Sequence, residues 1–286
     1  MGKYVDRFSP KYGIIVHMKI PQFWNKRNRV LLQELTKTDF KLRYQGSALG
    51  YLWALLRPLL LFAILYIVFA QLLRFGNDIP HYPVYLLLGT VLWSFFTECT
   101  NQGIQAIITR GDLIRKISFP KYIITVSATL TAVINVCINL VVVVIFALIN
   151  GVTPSWSWLL VPLLLLELYL FALGIALLLG SINVKYRDIS SIWEVFLQAL
   201  FYAVPIIYPV SMVASTSMLA ARVLLLNPIA QVIQDARWSL ITDTSVTNLG
   251  LNGPWGQVFA ILLALSVFII GALIFRRKSR FFAEEI

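Results

Sequence analysis

Four ionisable side chains stand in or at the edges of long apolar runs: Arg57, Glu98, Glu167 and Glu194. A charge in such a run is costly wherever the run meets lipid, so each is a functional candidate by default. Each also has a structural reading. Arg57 and Glu194 lie near run ends, where a long side chain can snorkel to the headgroups. Glu98 is followed by Asn101 and Gln102, a set suited to an interhelical hydrogen-bond network. The sharper alternative for Glu98 and Glu167 is a proton relay, but no Lys or His shares the apolar interior with them. His17 and His81 lie outside the runs, without ligand partners at metal spacing. Cys99 and Cys137 are far apart, lack C-x-x-C spacing and read as packing thiols. The sequence has no Ser-His-Asp order, paired catalytic carboxylates or zinc motif, and it lacks the G-x-x-x-x-G-K-[ST] phosphate loop. The chain is therefore expected not to be an enzyme by itself and to bind no metal or cofactor.

The elements that carry these residues follow from composition. Of 286 residues, 59% are hydrophobic and 13% charged, about half the ~25% charged fraction of soluble domains. That leaves too little polar surface to coat a water-soluble globule, so the expected solvent is lipid. The first fifty residues are polar and basic, without the apolar core of a signal peptide. The first spanning helix is expected to direct insertion. A helix crossing ~30 Å of hydrocarbon needs about 20 apolar residues, and six segments qualify: 51–73, 84–108, 122–149, 158–179, 189–210 and 257–275. Asn150-Gly151 stops the third, Thr153-Pro154-Ser155 turns toward the fourth, and Trp156 and Trp158 sit where interfacial anchors belong. Six spans put both termini on one side. With the termini in the cytoplasm, all but Arg74, Arg222 and Arg237 of the 24 Lys and Arg residues fall on the cytoplasmic side. The positive-inside rule thus accounts for the +11 charge, and no nucleic-acid partner is needed.

Three connecting segments carry further patterns. Over 24–44, Trp24, Leu31, Leu35 and Leu42 fall on one narrow arc of a helical wheel, with Lys26, Arg27, Lys37 and Lys41 elsewhere. This predicts an amphipathic helix on the cytoplasmic membrane surface, in contact with lipid headgroups. The loop 109–121 combines a turn, a short charged helix with Leu113, Ile114 and Ile117, and Phe119-Pro120. Such a helix can dock in a partner's groove or serve as an ordinary basic loop. Segment 210–256 holds an apolar stretch, then Asn227-Pro228 as an N-cap with Pro at the first helical position. Two short helices that re-enter the outer leaflet are expected here, packed on protein or lining a water-filled mouth.

These residues also carry a family resemblance. Tyr44-Gln45-Gly46-Ser47-Ala48-Leu49-Gly50-Tyr51-Leu52-Trp53 with Arg57-Pro58-Leu59 is one block. Leu113-Ile114-Arg115-Lys116 with Phe119-Pro120 is the next, followed by Lys185-Tyr186-Arg187-Asp188-Ile189. Pro205-Ile206-Ile207-Tyr208-Pro209 and Leu226-Asn227-Pro228 complete the set. In this order, from about residue 25 onward, the sequence resembles the ABC-2-type permeases of cell-envelope polysaccharide exporters, among them those of rhamnose-rich polysaccharide, teichoic acid and O-antigen. The resemblance implies an all-α bacterial cell-membrane protein, with 1–50 a cytoplasmic segment and 51–280 the transmembrane domain. It implies a homodimer with two copies of an ABC ATPase subunit, which would hold the ATP and Mg. It implies a glycan on an undecaprenyl (pyro)phosphate carrier as cargo. Leu113, Ile114, Arg115, Lys116 and Phe119, with Leu31 and Leu35, would then contact the ATPase. Spans one and five would meet at the dimer interface, with Tyr66, Phe69, Trp193, Phe196, Phe201 and Tyr202 as candidates to line a sugar path. Each of these aromatics has core or lipid packing as its alternative. Arg57 would meet the carrier pyrophosphate, with snorkelling as its alternative. The rival readings are an ABC-2 exporter of a drug or lipid and a polytopic enzyme that builds the glycan.

The topology has a direct test. In single-cysteine variants, Ser118→Cys and Ser190→Cys are expected to label only from the cytoplasm, and Asp243→Cys only from outside. Outside labelling at position 118 would overturn the six-span arrangement.

Overall fold

The computed structural model describes residues 26–74, 76 and 79–285, and these are helical with no strand among them. Trp24, assigned above to the amphipathic arc, lies outside the described residues. The chain begins with α1 (Lys26–Tyr44), then a 3-10 turn (Gly50–Leu52), α2 (Trp53–Leu65) and a π-helical segment (Tyr66–Leu72). Next come α3 (Tyr82–Thr109), the short α4 (Gly111–Lys116) and α5 (Tyr122–Ile149). A 3-10 turn (Trp156–Leu160) leads into α6 (Val161–Asn183), followed by α7 (Ile189–Ala203). Three short helices, α8 (Val210–Thr216), α9 (Met218–Leu225) and α10 (Pro228–Leu240), precede α11 (Asn248–Lys278) and α12 (Phe282–Glu285).

Among the described residues, four stretches are long and apolar enough to cross a membrane: Gly50–Leu72, Tyr122–Ile149, Trp156–Asn183 and Asn248–Lys278. They cover the first, third, fourth and sixth predicted spans. The second falls on α3, whose 28 residues include 19 buried ones. A helix walled in by protein need not be uniformly apolar, and α3 carries Thr90, Thr97, Glu98, Thr100, Asn101 and Gln102. The fifth differs from expectation. Val204 is extended before Pro205, which ends α7 at Ala203 rather than at 210. Its 15 residues reach about 22 Å at 1.5 Å per residue, less than the ~30 Å hydrocarbon core.

Local signals work as read. Asn150-Gly151 ends α5, with Gly151 at φ +84°. The Asn227 side chain accepts from the Ile229 backbone N–H at 3.0 Å, and Pro228 opens α10. A turn at Gly253 (φ 68°) before Pro254 splits α11 into a short cap and a long rod, so the apolar run begins later than the helix.

α3 is the hub, packed along α5 and α6, with α11 along the other side of α6. Small residues set these distances. A Cβ at Gly271 on α11 would stand 2.2 Å from the Gly174 carbonyl oxygen of α6, and one at Gly103 on α3 would stand 2.5 Å from the Ala176 Cβ. Backbones in such contact gain dispersion where lipid supplies no hydrophobic drive. α5 turns a polar seam inward, with Ser127, Thr131, Asn135 and Asn139 buried at intervals of one helical turn. Cys99 is buried, but Cys137 is exposed on α5 and is no packing thiol.

Overpacking in a rigid interior costs about 1–3 kcal/mol, and Gly271→Ala is expected to fall in that range because its obstacle is backbone. Gly151→Ala meets nothing within 4 Å and should lose only about 1 kcal/mol, from its left-handed φ. Thermal melting of the purified permease reads the difference, and equal losses would contradict the tight α6–α11 contact.

Candidate functional site

α7 touches the bundle along one line. Trp193 and Leu197, one turn apart, are its two buried residues. The Trp193 indole Nε1–H donates to Thr100 Oγ1 at 3.1 Å, fixing the helix against α3. The rest of α7 is largely open, and a groove of about 590 Å³ runs between it and α2. Leu61, Trp93, Leu197 and Phe201 form its apolar lining, while Thr97 and Asn101 of α3 and Glu194, Gln198 and Tyr202 of α7 supply polar atoms. Trp93 and Phe201 meet edge to face at 5.7 Å, and Phe201 meets Tyr202 likewise at 5.3 Å. Exposed aromatic faces beside amide and hydroxyl groups can stack on sugar rings and bond their hydroxyls.

The six predicted path aromatics do not form one wall. Phe201 and Tyr202 line this groove, and Tyr202 is 70% exposed. Trp193 is buried at the α3 contact and is a packing residue in this structure. Phe196, 51% exposed, stacks on Trp193 at 5.3 Å and lines a separate apolar groove with Phe96 and Phe171. Tyr66 and Phe69 lie half-buried in the π-helical segment and pack on the core. Thr97, Asn101, Glu194 and Gln198 were not assigned to the path from sequence. The signal was present: Thr97 and Asn101, and separately Glu194, Gln198 and Tyr202, recur at i, i+4 on apolar helices.

The turn that ends α7 is fixed from behind by Arg237 of α10. Its Nη1 donates to Pro205 O at 2.6 Å and Gln234 Oε1 at 3.1 Å, Nη2 to Ile206 O at 2.7 Å, and Nε to Tyr85 O at 3.2 Å. The guanidinium also lies 3.4 Å from the Tyr85 ring centroid. Gly89 leaves the space, since a Cβ there would be 2.4 Å from Nη2. Arg237 is wholly buried. The sequence reading counts it among the outer-side cations, in a segment expected to form two short re-entrant helices; its burial among backbone carbonyls is what the structure adds.

Glu98 sits in a hydrogen-bond network, with Gln102 as expected and with Arg43 and Asn135 in place of Asn101. It takes Arg43 of α1 in an ion pair, Asn135 Nδ2 at 2.5 Å and Gln102 Nε2 at 2.9 Å, while Asn101 faces the groove. The Tyr44 hydroxyl donates to Asn135 Oδ1 at 3.2 Å, and burial pushes its phenol above the ordinary value against the pull of Arg43. A second ion pair joins Arg110, just past α3, to Asp39 of α1. These contacts seat α1 on α3 and α5, with Leu35 buried and Leu31 half-buried beneath it. Leu42, on the same arc, is exposed, so the arc expected to face the membrane surface is partly covered by the bundle instead. Arg57 is exposed on α2, and its positive field reaches Glu98.

At the α4 end, Ile114 is buried in a cluster with Val184, Phe275 and Phe282. Lys121 Nζ donates to Ser279 O at 2.6 Å, and the rings of Phe275 and Phe282 meet edge to face at 5.3 Å. Leu113 and Phe119 are half-buried, whereas Arg115, Lys116 and Ile117 are exposed. α4 therefore offers Asp112, Arg115 and Lys116, with Ile117 just past its end, and Ile114 anchors it from within.

Residues 30–234 match the family described as ABC-2 type transporter. The chain is 30% identical over 260 residues to the O-antigen export system permease protein of Myxococcus xanthus, covering 90% of this chain and 96% of that one. It is 28% identical to an O-antigen export system permease protein of Klebsiella pneumoniae, over 89% of this chain and 94% of that one. A polysialic acid transport protein of Escherichia coli is 21% identical, over 87% of this chain and 94% of that one.

Burial separates the candidate aromatics. Trp193→Ala is expected to destabilise the permease by about 3–5 kcal/mol, and Tyr202→Ala by no more than about 0.5 kcal/mol. Comparable melting of the two variants would mean that Tyr202 is packed rather than open.

Proposed function

The chain belongs to the ABC-2 type transporter family, and we propose that it is the membrane-spanning subunit through which a lipid-linked cell-surface polysaccharide leaves the cytoplasm. It is a multi-pass protein of the bacterial inner membrane. Polysaccharide-export relatives along nearly its whole length favour this cargo over a drug or a plain lipid.

In this reading α3 and α7 complete six spans, with both termini and α4 in the cytoplasm. Residues 1–50 form the cytoplasmic segment and 51–280 the transmembrane domain. α8 to α10 re-enter the outer leaflet. Their main support is charge: the cations of 109–121, 185–187 and 276–280 collect at one end of the bundle. Two copies of the chain pair across α2 and α7, and two copies of an ABC ATPase attach from the cytoplasm, carrying ATP and Mg. α1, the exposed Arg115 and Lys116 of α4 and Ile117 just past it form the ATPase-facing surface. Leu35 and Ile114 support it from inside the fold, Leu31, Leu113 and Phe119 at its edge.

The observation that carries the function is the groove between α2 and α7. It places Asn101, Glu194 and Gln198 beside Trp93, Phe201 and Tyr202 in an otherwise apolar surface. Lipid gives no reason for such polar groups, whereas a hydroxyl-rich polymer does. A second copy facing the first closes the two grooves into one path. ATP-driven closure of the ATPases moves α1 and α4, and both are tied to α3. Arg57, exposed at the inner end of α2, meets the pyrophosphate of an undecaprenyl carrier as the glycan enters.

The test uses cells whose only permease is Tyr202→Cys, co-expressed with its ATPase. Export should be near normal before labelling. A bulky thiol reagent should then reduce surface glycan at least about tenfold, while the complex stays assembled. Undiminished export after complete labelling would remove Tyr202 and this groove from the path.

A further inference from the structure

Among the described residues α4 and α12 are the two shortest α-helices, with six and four residues. Helices of that length do not hold their form alone, because nucleation costs more than one turn of hydrogen bonds returns. Each is placed by what it packs on. α4 turns Ile114 inward and α12 turns Phe282 inward, and Phe282 is wholly buried. Both side chains enter one cluster with Ile107 of α3, Val184 and Phe275 of α11. Of the described helices, α12 is the one that α4 packs against most.

The stretch between α11 and α12 is pinned as well. Lys121, just before α5, donates from Nζ to Ser279 O at 2.6 Å. Its ammonium stands 5.8 Å from the Phe282 ring centroid, within cation–π reach. The Phe275 ring meets Phe282 edge to face at 5.3 Å. The ring is thus held from α11 and from the start of α5 while it bears on the α4 cluster. Chain connection alone would leave α4 free to swing, since it follows α3 after the single residue Arg110 and runs on into the extended Ile117.

We infer that Phe282 is a positioning residue for α4. Through it, residues 279–285 hold the ATPase-facing helix in the one place from which it engages its partner, and they tie that helix to α11 as well as to α3. The inference rests on the reading of α4 as part of the ATPase-facing surface. A partner that needs a defined α4 binds with an affinity scaled by the fraction of molecules in which α4 is in place.

Full-length permease in lipid nanodiscs, titrated with its purified ATPase subunit, reads that fraction. Phe282→Ala is expected to weaken binding about tenfold, as when α4 is in place in roughly one molecule in ten. Phe282→Leu keeps a large apolar group and should recover binding to within about threefold of the parent. Thermal melting of the permease alone should shift by less than ~3 °C in both, because so short a segment opens locally without the bundle. Lys121→Ala keeps the ring and removes its tether. It should weaken binding about two- to threefold, and it carries the test if Phe282→Ala does not fold. Melting that falls while the folded protein binds normally would overturn the inference, since Phe282 would then only hold the fold. The charge reversal Arg115→Glu/Lys116→Glu separates two ways of failing. If it weakens binding while Phe282→Ala and Lys121→Ala do not, α4 faces the ATPase but the tail does not place it, and the inference falls alone. If neither the reversal nor the tail variants change binding, the ATPase-facing role of α4 falls with it.

Discussion

The turn that ends α7 is held by a guanidinium with no carboxylate, and much of the structure follows from that choice. Arg cannot shed its charge in a protein, so Arg237 must be answered by dipoles. It finds them in the carbonyls of Tyr85, Pro205 and Ile206, the Gln234 amide and the face of Tyr85. Those groups belong to α3, to the α7–α8 turn and to α10. Pro205 breaks the helix and frees carbonyls, and Arg237 satisfies two of them in a region where water is scarce. The broken helix is therefore a fixed corner, and it sets where α7 stands relative to α2. Gly89 is required by the same contact, because any side chain would displace the guanidinium.

α3 connects this corner to the opposite end of the molecule. Tyr85 lies near its start, Glu98 and Thr100 near its middle, and Arg110 just past its end. Along about 42 Å of helix it therefore touches the α7 turn, the α7 indole and both ion pairs of α1. α1 is held at two separate points, Arg43 on Glu98 of α3 and Asp39 on Arg110 just past it. α4 joins the same rod through Arg110 and rests on Phe282 through the cluster around Ile114. The elements expected to meet an ATPase and the helix that lines the groove thus share one rigid partner.

Helix positions were legible because a span's length and apolarity are set by the bilayer rather than by neighbours. The bounds of α5 coincide with the expected 122–149, and the 3-10 turn, α2 and the π-helical segment together (Gly50–Leu72) fall within a residue of 51–73. What depends on tertiary contact was harder to read. α3 is polar in places that only its neighbours explain, and α7 stops where Val204 turns extended before Pro205. Arg237 falls in the segment read as re-entrant helices, yet nothing local marks the carbonyls it meets. Glu98 was read as a network residue, but Arg43 lies 55 positions away and no spacing rule connects them. Phe201 and Tyr202 could be named as candidates, yet Trp193 and Phe196 have the same composition and face elsewhere. On a helix with two buried residues, facing is decided by which neighbour takes Trp193, and Thr100 of α3 takes it.

The Glu98 and Arg237 networks differ in kind from the polar groups of the groove, and the difference explains what each does. Glu98, Asn135 and Arg237 are bonded to other parts of the chain, so they hold helices in register and offer nothing to a passing molecule. Glu194, Gln198 and Tyr202 lie on the open face of α7 and keep their bonding capacity for whatever occupies the groove. A polymer moving through such a groove needs many weak contacts of similar strength, because one strong site would arrest it. Open amides, a hydroxyl and aromatic faces meet that need: each bond gained from the groove replaces one lost to water, for a net of about 1 kcal/mol. A closed cluster of the Glu98 type, already satisfied, contributes stiffness instead. The bundle thus keeps its fully bonded polar groups where rigidity is wanted and its open ones along the surface that a second copy would complete.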